Sequence, residues 1–169
     1  MQRILVFGNS GSGKSTLAAR LRDEQGLAHL DLDVLAWLPT TPPERRPLAE
    51  SGRAIDEFVG GHDAWVIEGC YADLLELAAP LATEAIFLNL SVAQCQANAR
   101  ARPWEPHKYP SRAAQDANLP MLLDWIAQYP ERDDVLSLAA HRQFFEAFPR
   151  RKQELTDNAE RLASQGRPG

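Results

Sequence analysis

Eight consecutive residues near the amino terminus, Gly8, Asn9, Ser10, Gly11, Ser12, Gly13, Lys14 and Ser15, satisfy the pattern G-x-x-x-x-G-K-[ST] in full. The chemistry open to such a run is anion binding. Glycines let the main chain curl until successive N–H groups converge on phosphate oxygens, and the first turn of a following helix adds partial positive charge. Lys14 would then reach the β- and γ-phosphates of a triphosphate, the Ser15 hydroxyl would ligate Mg²⁺, and Thr16 would add a donor near the α-phosphate. The competing reading is a Gly/Ser-rich strand-to-helix turn that binds nothing.

Three carboxylates stand where short apolar runs end. Asp31 and Asp33 follow Leu27-Ala-His-Leu30, at the sheet edge where ligands of α/β proteins collect. Their i, i+2 spacing points both the same way if the strand continues. Asp33 suits the phosphoryl acceptor, as the group that takes a hydrogen bond from its hydroxyl, and Asp31 suits the metal side; either could instead cap the next helix. Glu68 ends Trp65-Val-Ile67 and is placed to touch the water shell of the metal as well as substrate. Trp37 and Tyr71 follow these acids and either stack on an acceptor or belong to the core.

A basic segment completes the set. Arg100, Arg102, His107, Lys108 and Arg112 fall within thirteen positions. Transferring a phosphoryl group spreads charge over its oxygens, and a closing segment that brings guanidinium groups to them stabilises that charge and excludes water. Arg100 and Arg102 are assigned to this catalytic role, Lys108 and Arg112 to substrate contacts; the alternative is a solvated charged loop. No grouping of His, Cys and carboxylates has the spacing of a metal cage.

These residues need a scaffold that gathers them. Arg3-Ile-Leu-Val-Phe7 reads as a strand buried on both faces, and Leu27–Leu30, Trp65–Ile67 and Ala85–Leu90 resemble it. Helical spacing separates them: Leu17, Ala18 and Leu21, ending near Gly26; Ile55, Phe58 and Val59; Leu74, Leu75 and Ala78. Asp73 with Glu76 and Ser91 with Gln94 have capping-box spacing. Met121, Leu122, Trp125, Ile126 and Tyr129 form a further apolar stripe, as do Val135, Leu138, Phe145 and Phe148. Arg151 to Leu155 reads as a short edge strand, Asp157 with Glu160 as the start of a last helix, and Gln165 to Gly169 as a frayed tail. Pro39 to Pro47, with four prolines, is an exposed loop. Arg132, Arg142, Arg150 and Arg151 are assigned to helical surfaces. Strands alternating with helices argue for a parallel sheet covered on both faces.

The chain has 169 residues, 44% hydrophobic and 24% charged, which fits one domain over 1–169. A net charge of -5 works against nucleic acid as a partner. No apolar run approaches a membrane span, and the start of the sequence lacks a signal-peptide pattern, so a cytoplasmic protein is expected. Cys70 and Cys95 form no disulfide framework.

With these motifs in view, the chain resembles the adenylate kinase and shikimate kinase branch of small P-loop kinases, and more closely the DNA topology modulation proteins. The carriers are residues 8–15, His29-Leu-Asp-Leu-Asp-Val-Leu-Ala-Trp37, Trp65-Val-Ile-Glu-Gly-Cys-Tyr71 and Arg100-Ala-Arg102. The resemblance implies an α/β three-layer fold with a five-stranded parallel sheet of order 2-3-1-4-5, an acceptor side over about 31–60 and a lid over about 103–118. It implies ATP and Mg²⁺, phosphoryl transfer to a small hydroxyl- or phosphate-bearing acceptor, and a monomer or homodimer. Strand 3 ends in Glu68-Gly69 where adenylate kinases carry Asp-Gly and shikimate kinases a glycine run, so the acceptor stays open. A nucleotide-dependent regulatory NTPase acting on a macromolecule is the alternative from another class. A kinase of polynucleotide ends would need a basic groove that the acidic balance does not support.

Overall fold

The computed structural model describes residues 1–159. Its central strand β1 (Arg3–Gly8) sends Ile4 and Val6 into one apolar layer and Leu5 and Phe7 into the other, and all four are fully buried. A strand with no solvent face reads as an unbroken apolar run, which is how the sequence identified it, by a short run ending at the glycines. Four more strands join it: β2 (Ala28–Asp31), β3 (Trp65–Gly69), β4 (Glu84–Leu88) and β5 (Arg151–Leu155). The order is β2-β3-β1-β4-β5 and every pairing is parallel. All strands therefore deliver their C-terminal ends to one edge of the sheet.

Helices cover both faces. On the layer of Ile4 and Val6 lie α1 (Lys14–Gln25), α5 (Val92–Ala101) and α6 (Arg112–Ala127), contributing Leu17, Leu21, Cys95 and Ile126. On the layer of Leu5 and Phe7 lie α2 (Asp33–Ala36), α3 (Leu48–Gly61), α4 (Ala72–Ala78) and α7 (Leu138–Ala147), contributing Ala36, Ile55, Leu74 and Phe144. The capping box at Ser91 and Gln94 forms in both directions.

Several expectations need correction. The helix expected to take Asp73 as its N-cap takes Tyr71, two residues earlier, and Asp73 binds Arg45 instead of closing a capping box. Met121 is 70% exposed and outside the apolar stripe of α6. The irregular stretch after Arg102 ends at Ser111, whose hydroxyl caps α6 by accepting the Ala114 N–H, so 112–118 is helix. Of the arginines assigned to helical surfaces only Arg142 lies in a helix; Arg132 stacks on Trp125 at 3.8 Å, Arg150 bonds the Ala79 and Ala82 carbonyls, and Arg151 is in β5. The expected last helix from Asp157 with Glu160, and the tail from Gln165, extend outside the described residues.

One buried histidine ties three elements together. His141 of α7 has no exposed surface; its Nε2 lies 2.7 Å from the Cys70 carbonyl and its Nδ1 2.6 Å from the Tyr129 hydroxyl. A carbonyl can only accept, so Nε2 carries the proton, and in the neutral ring that burial favours, Nδ1 accepts from the Tyr129 hydroxyl. Burial pushes its pKa down to about 4. The unfolded chain, with a histidine near 6.5, therefore binds one more proton between those values. The stability held by the neutral ring is complete above about 6.5 and is lost as the pH falls toward 4, a change of about 3 kcal/mol. The difference in unfolding free energy between the wild type and His141→Gln, measured by denaturant titration, should shrink by that amount between pH 6.5 and 4; a pH-independent difference would contradict the assignment.

Candidate functional site

The loop between β1 and α1 forms a cradle of main-chain N–H groups that suits an anion. Gly11 and Gly13 have φ of 77° and 90°, the left-handed region that side-chain-bearing residues avoid. A Cβ at Gly11 would also lie 2.4 Å from the Cys95 carbonyl oxygen. Gly13 is the cap residue of α1, so the helix N-terminus begins at Lys14 and faces the loop.

The loop's orientation is fixed from outside. Asn98 of α5 donates to the Gly11 carbonyl at 2.8 Å, Asn158 after β5 donates to the Ser12 carbonyl at 3.0 Å, and Asn98 also donates to the Asn158 side-chain oxygen at 2.7 Å. Pulling these carbonyls outward turns the intervening N–H groups toward the cradle. Asn9, 1% exposed, donates to the Ile126 carbonyl and anchors the other end of the loop to α6. Neither Asn98 nor Asn158 carried a sequence signal, because they are 87 and 146 positions from the carbonyls they bind.

Lys14 bends back so that its Nζ donates to the Asn9 carbonyl at 2.8 Å, beside the cradle. Ser15 Oγ donates to Glu68 Oε1 at 2.8 Å, and His29 Nε2 lies 3.5 Å from the same oxygen. The β2–β3 register sets Asp31 opposite Glu68. Burial first, then the charges of Glu68 and Asp33, push the Asp31 carboxyl up to about 6. Among the described residues no three His, Cys, Asp or Glu side chains could cage a metal. Mg²⁺ keeps several waters and takes phosphate oxygens with few protein ligands. The donor set fits such an ion: the Ser15 hydroxyl as ligand, with Glu68 and Asp31 behind it.

Asp31 and Asp33 do not share a strand face. β2 stops at Asp31 and Asp33 opens α2, while Asp31 Oδ1 accepts the Asp33 N–H at 2.9 Å, so Asp31 also serves as a local cap. Asp33 nonetheless reaches the cleft. The buried Tyr71 donates to Asp33 Oδ1 at 2.5 Å and accepts from Trp37 Nε1 at 2.8 Å. One carboxylate oxygen is thus held, and Oδ2 is left toward the cleft with Lys108 Nζ 3.9 Å away.

The basic residues separate. Arg102 and Lys108 line the cleft, Arg102 Nε at 3.4 Å from Glu105 and Lys108 Nζ at 3.6 Å from the same carboxylate. Arg100 is exposed beside Tyr109 and Asp116, outside the cleft. Arg112 opens α6 and pairs with Asp116 at 3.3 Å, also outside it. The segment 103–111 is fastened to α6: Gln115 accepts the Glu105 N–H and donates to the Pro103 carbonyl, and Asn118 donates to the Tyr109 hydroxyl.

Two cavities meet at the cradle. A cleft of about 800 Å³ runs from Lys14 and Ser15 past Asp33, Glu68 and Tyr71 to Lys108 and Trp125. A smaller one of about 360 Å³ lies on the other side, walled by Leu17, Leu88, Ala101, Leu155 and Asn158. Gly11, Gly13, Thr16, Arg102 and Pro103 border both. A ligand whose phosphates sit in the cradle can therefore place a nucleoside on one side and meet a second molecule on the other. Burial pushes the thiols of Cys70 and Cys95 up to about 11, so neither is poised as a nucleophile.

Comparison with solved structures supports this fold. An unliganded sugar kinase from Janibacter sp. HTCC2649 is similar with a TM-score of 0.51 and 14% identity, over 92% of this chain and 85% of that one. Shikimate kinase from Acinetobacter baumannii, in complex with shikimate, is similar with a TM-score of 0.54 and 13% identity, over 95% and 86%. No protein-family model and no curated protein matches the chain. The five-stranded all-parallel sheet of order 2-3-1-4-5 is that of shikimate kinase-like P-loop proteins.

The outward pull on the loop is testable. Asn98→Ala should remove about 1 kcal/mol of loop-ordering interaction and weaken ATP binding roughly fivefold by calorimetry, with little change in fold. Unchanged affinity would show that the Gly11 carbonyl needs no tether.

Proposed function

We propose that the chain is an ATP-dependent phosphotransferase that moves the γ-phosphoryl group onto a small hydroxyl- or phosphate-bearing molecule. The observation that carries this is one cleft that presents the Lys14 ammonium, the Ser15 hydroxyl and the Asp33 carboxylate together, with Tyr71 on one Asp33 oxygen and Lys108 near the other. A phosphate loop alone would serve any nucleotide-dependent switch. An oriented carboxylate across an open cavity from it is what an acceptor hydroxyl needs.

In this reading the triphosphate lies on the N–H groups of Gly11 to Ser15, with the nucleoside in the smaller cavity. Lys14 swings from the Asn9 carbonyl to the β- and γ-phosphates. Mg²⁺ would be held by Ser15 with Glu68 and Asp31 behind it, and when bound it neutralises charge on the phosphate oxygens. Tyr71 holds Asp33 so that Oδ2 takes the acceptor proton. Arg102, bordering both cavities, faces the transferring group, and the 103–111 segment excludes water. Little covalent chemistry falls to the protein; positioning and charge neutralisation do the work. The acidic balance favours a small molecule over nucleic acid, and among the described residues no helix is long and apolar enough to cross a membrane. Kinship with the DNA topology modulation proteins and a cytoplasmic site of action are part of the same proposal.

An ATP-turnover screen over nucleosides, nucleotides, sugars and cyclitols tests it. One compound should stimulate turnover, and Asp33→Asn should reduce kcat by about 10²- to 10⁴-fold while ATP still binds. Lys14→Ala should weaken triphosphate binding and abolish turnover. Tight ATP binding with no stimulation by any compound would favour the regulatory NTPase instead.

A further inference from the structure

The cations of the cleft have nothing to spare for an anionic acceptor. Lys14 and Arg102 border the cradle and belong to the triphosphate. Lys108 is the remaining described cation of the lining, and it stands between two carboxylates, 3.9 Å from Asp33 Oδ2 and 3.6 Å from Glu105 Oε2. Arg45, nearby, gives both of its carboxylate bonds to Asp73, at 3.2 and 3.1 Å, and its guanidinium rests 5.0 Å from the centre of the Tyr71 ring. Glu105 Oε2 is buried without a hydrogen-bond donor. A phosphate or carboxylate arriving here would meet two carboxylates for one engaged ammonium, in a partly desolvated cavity. Much of the remaining acceptor wall is apolar: Trp37, Tyr109 and Trp125 line it with Pro43, Leu122 and Leu136, and Arg132 covers one face of Trp125 at 3.8 Å.

We infer that the acceptor carries no negative charge: it is an uncharged or amine-bearing hydroxyl compound with an apolar face, rather than a phosphate ester or carboxylate. This rests on the phosphotransferase reading above and narrows it. The acceptor hydroxyl enters between Asp33 Oδ2 and the cradle, displacing Lys108 toward Glu105. Its oxygen forms a bond to the γ-phosphorus as the bond from that phosphorus to the β,γ-bridging oxygen breaks. ADP leaves with the electron pair of the broken bond, and the hydroxyl proton passes to Asp33. An amine on the acceptor would be drawn to the same pair of carboxylates, Asp33 and Glu105.

The test uses the full chain with ATP and Mg²⁺ and matched pairs: nucleosides against their monophosphates, sugars and amino sugars against the corresponding acids and phosphates, and cyclitols against shikimate. Phosphorylated products are identified by mass spectrometry and kcat/KM is measured for each. The uncharged or amine-bearing member of the reacting pair should exceed its anionic counterpart by at least tenfold. Glu105→Gln, which keeps the side chain's size and removes its charge, should narrow that ratio about fivefold. Preference for the anionic member would overturn this inference and leave the phosphotransferase standing. ATP binding by calorimetry with no phosphorylated product from either half of the panel would bring down the phosphotransferase reading, and this inference with it.

Discussion

The structure turns on the direction of a few peptide groups. An anion can be held by main-chain N–H groups only if the neighbouring carbonyls point elsewhere, and a chain of ordinary residues cannot make that turn. Here Gly11 and Gly13 supply the left-handed conformation, and Asn98 and Asn158 take the carbonyls of Gly11 and Ser12 from behind. Both asparagines are set by large elements, α5 and the chain after β5, so the cradle depends on the whole right side of the sheet being folded. The buried apolar strand β1 brings the loop to the sheet edge, and its two-faced burial keeps it there.

Parallel pairing then gathers the acids. Because every strand runs the same way, the ends of β2 and β3 fall beside the loop that follows β1, and Asp31, Glu68 and Ser15 come together from three separate stretches. The same geometry places Tyr71, two residues past β3, against Asp33 at the start of α2. His141 steadies this edge from below by holding the Cys70 carbonyl, next to Tyr71, with the aromatic layer of Phe7 and Phe87 edge-on to its ring at 5.7 and 6.1 Å.

The sequence was legible where the chemistry is local. Residues 8–15 carry their own turn, charge and helix start, and the apolar runs of β1, β3 and β4 have no alternative to burial. The acid at the end of β3 could be located because strand ends are readable. What distance in the chain hides was not legible: Asn98, Asn158 and the Arg45–Asp73 pair leave no periodic trace. Short-range competition hid other details. Asp31 and Asp33 read as one strand face, but the strand gives way to α2 between them, and Asp31 joins the two by accepting the Asp33 N–H. Arg100, Lys108 and Arg112 are equivalent as charges in sequence. Their places in the fold separate them: Arg100 sits at the exposed end of α5, and the Ser111 cap starts α6 and puts Arg112 beside Asp116, while Lys108 stays in the cleft.

The crowding of Asp31, Asp33 and Glu68 is a cost that the fold alone does not explain. Burial first, and then the neighbouring charges of Glu68 and Asp33, push the Asp31 carboxyl up to about 6. Among the described residues neither Asp31 nor Glu68 forms an ion pair with lysine or arginine; Glu68 has the Ser15 hydroxyl and the imidazole of His29, and Asp31 has one N–H. A protein selected for stability alone would place a guanidinium here or remove an acid. In the proposed reading a divalent cation and Lys14 would turn the same repulsion into attraction, and a magnesium–triphosphate pair would offset the cost of keeping the acids together. The arrangement makes physical sense as half of a site whose other half is the ligand.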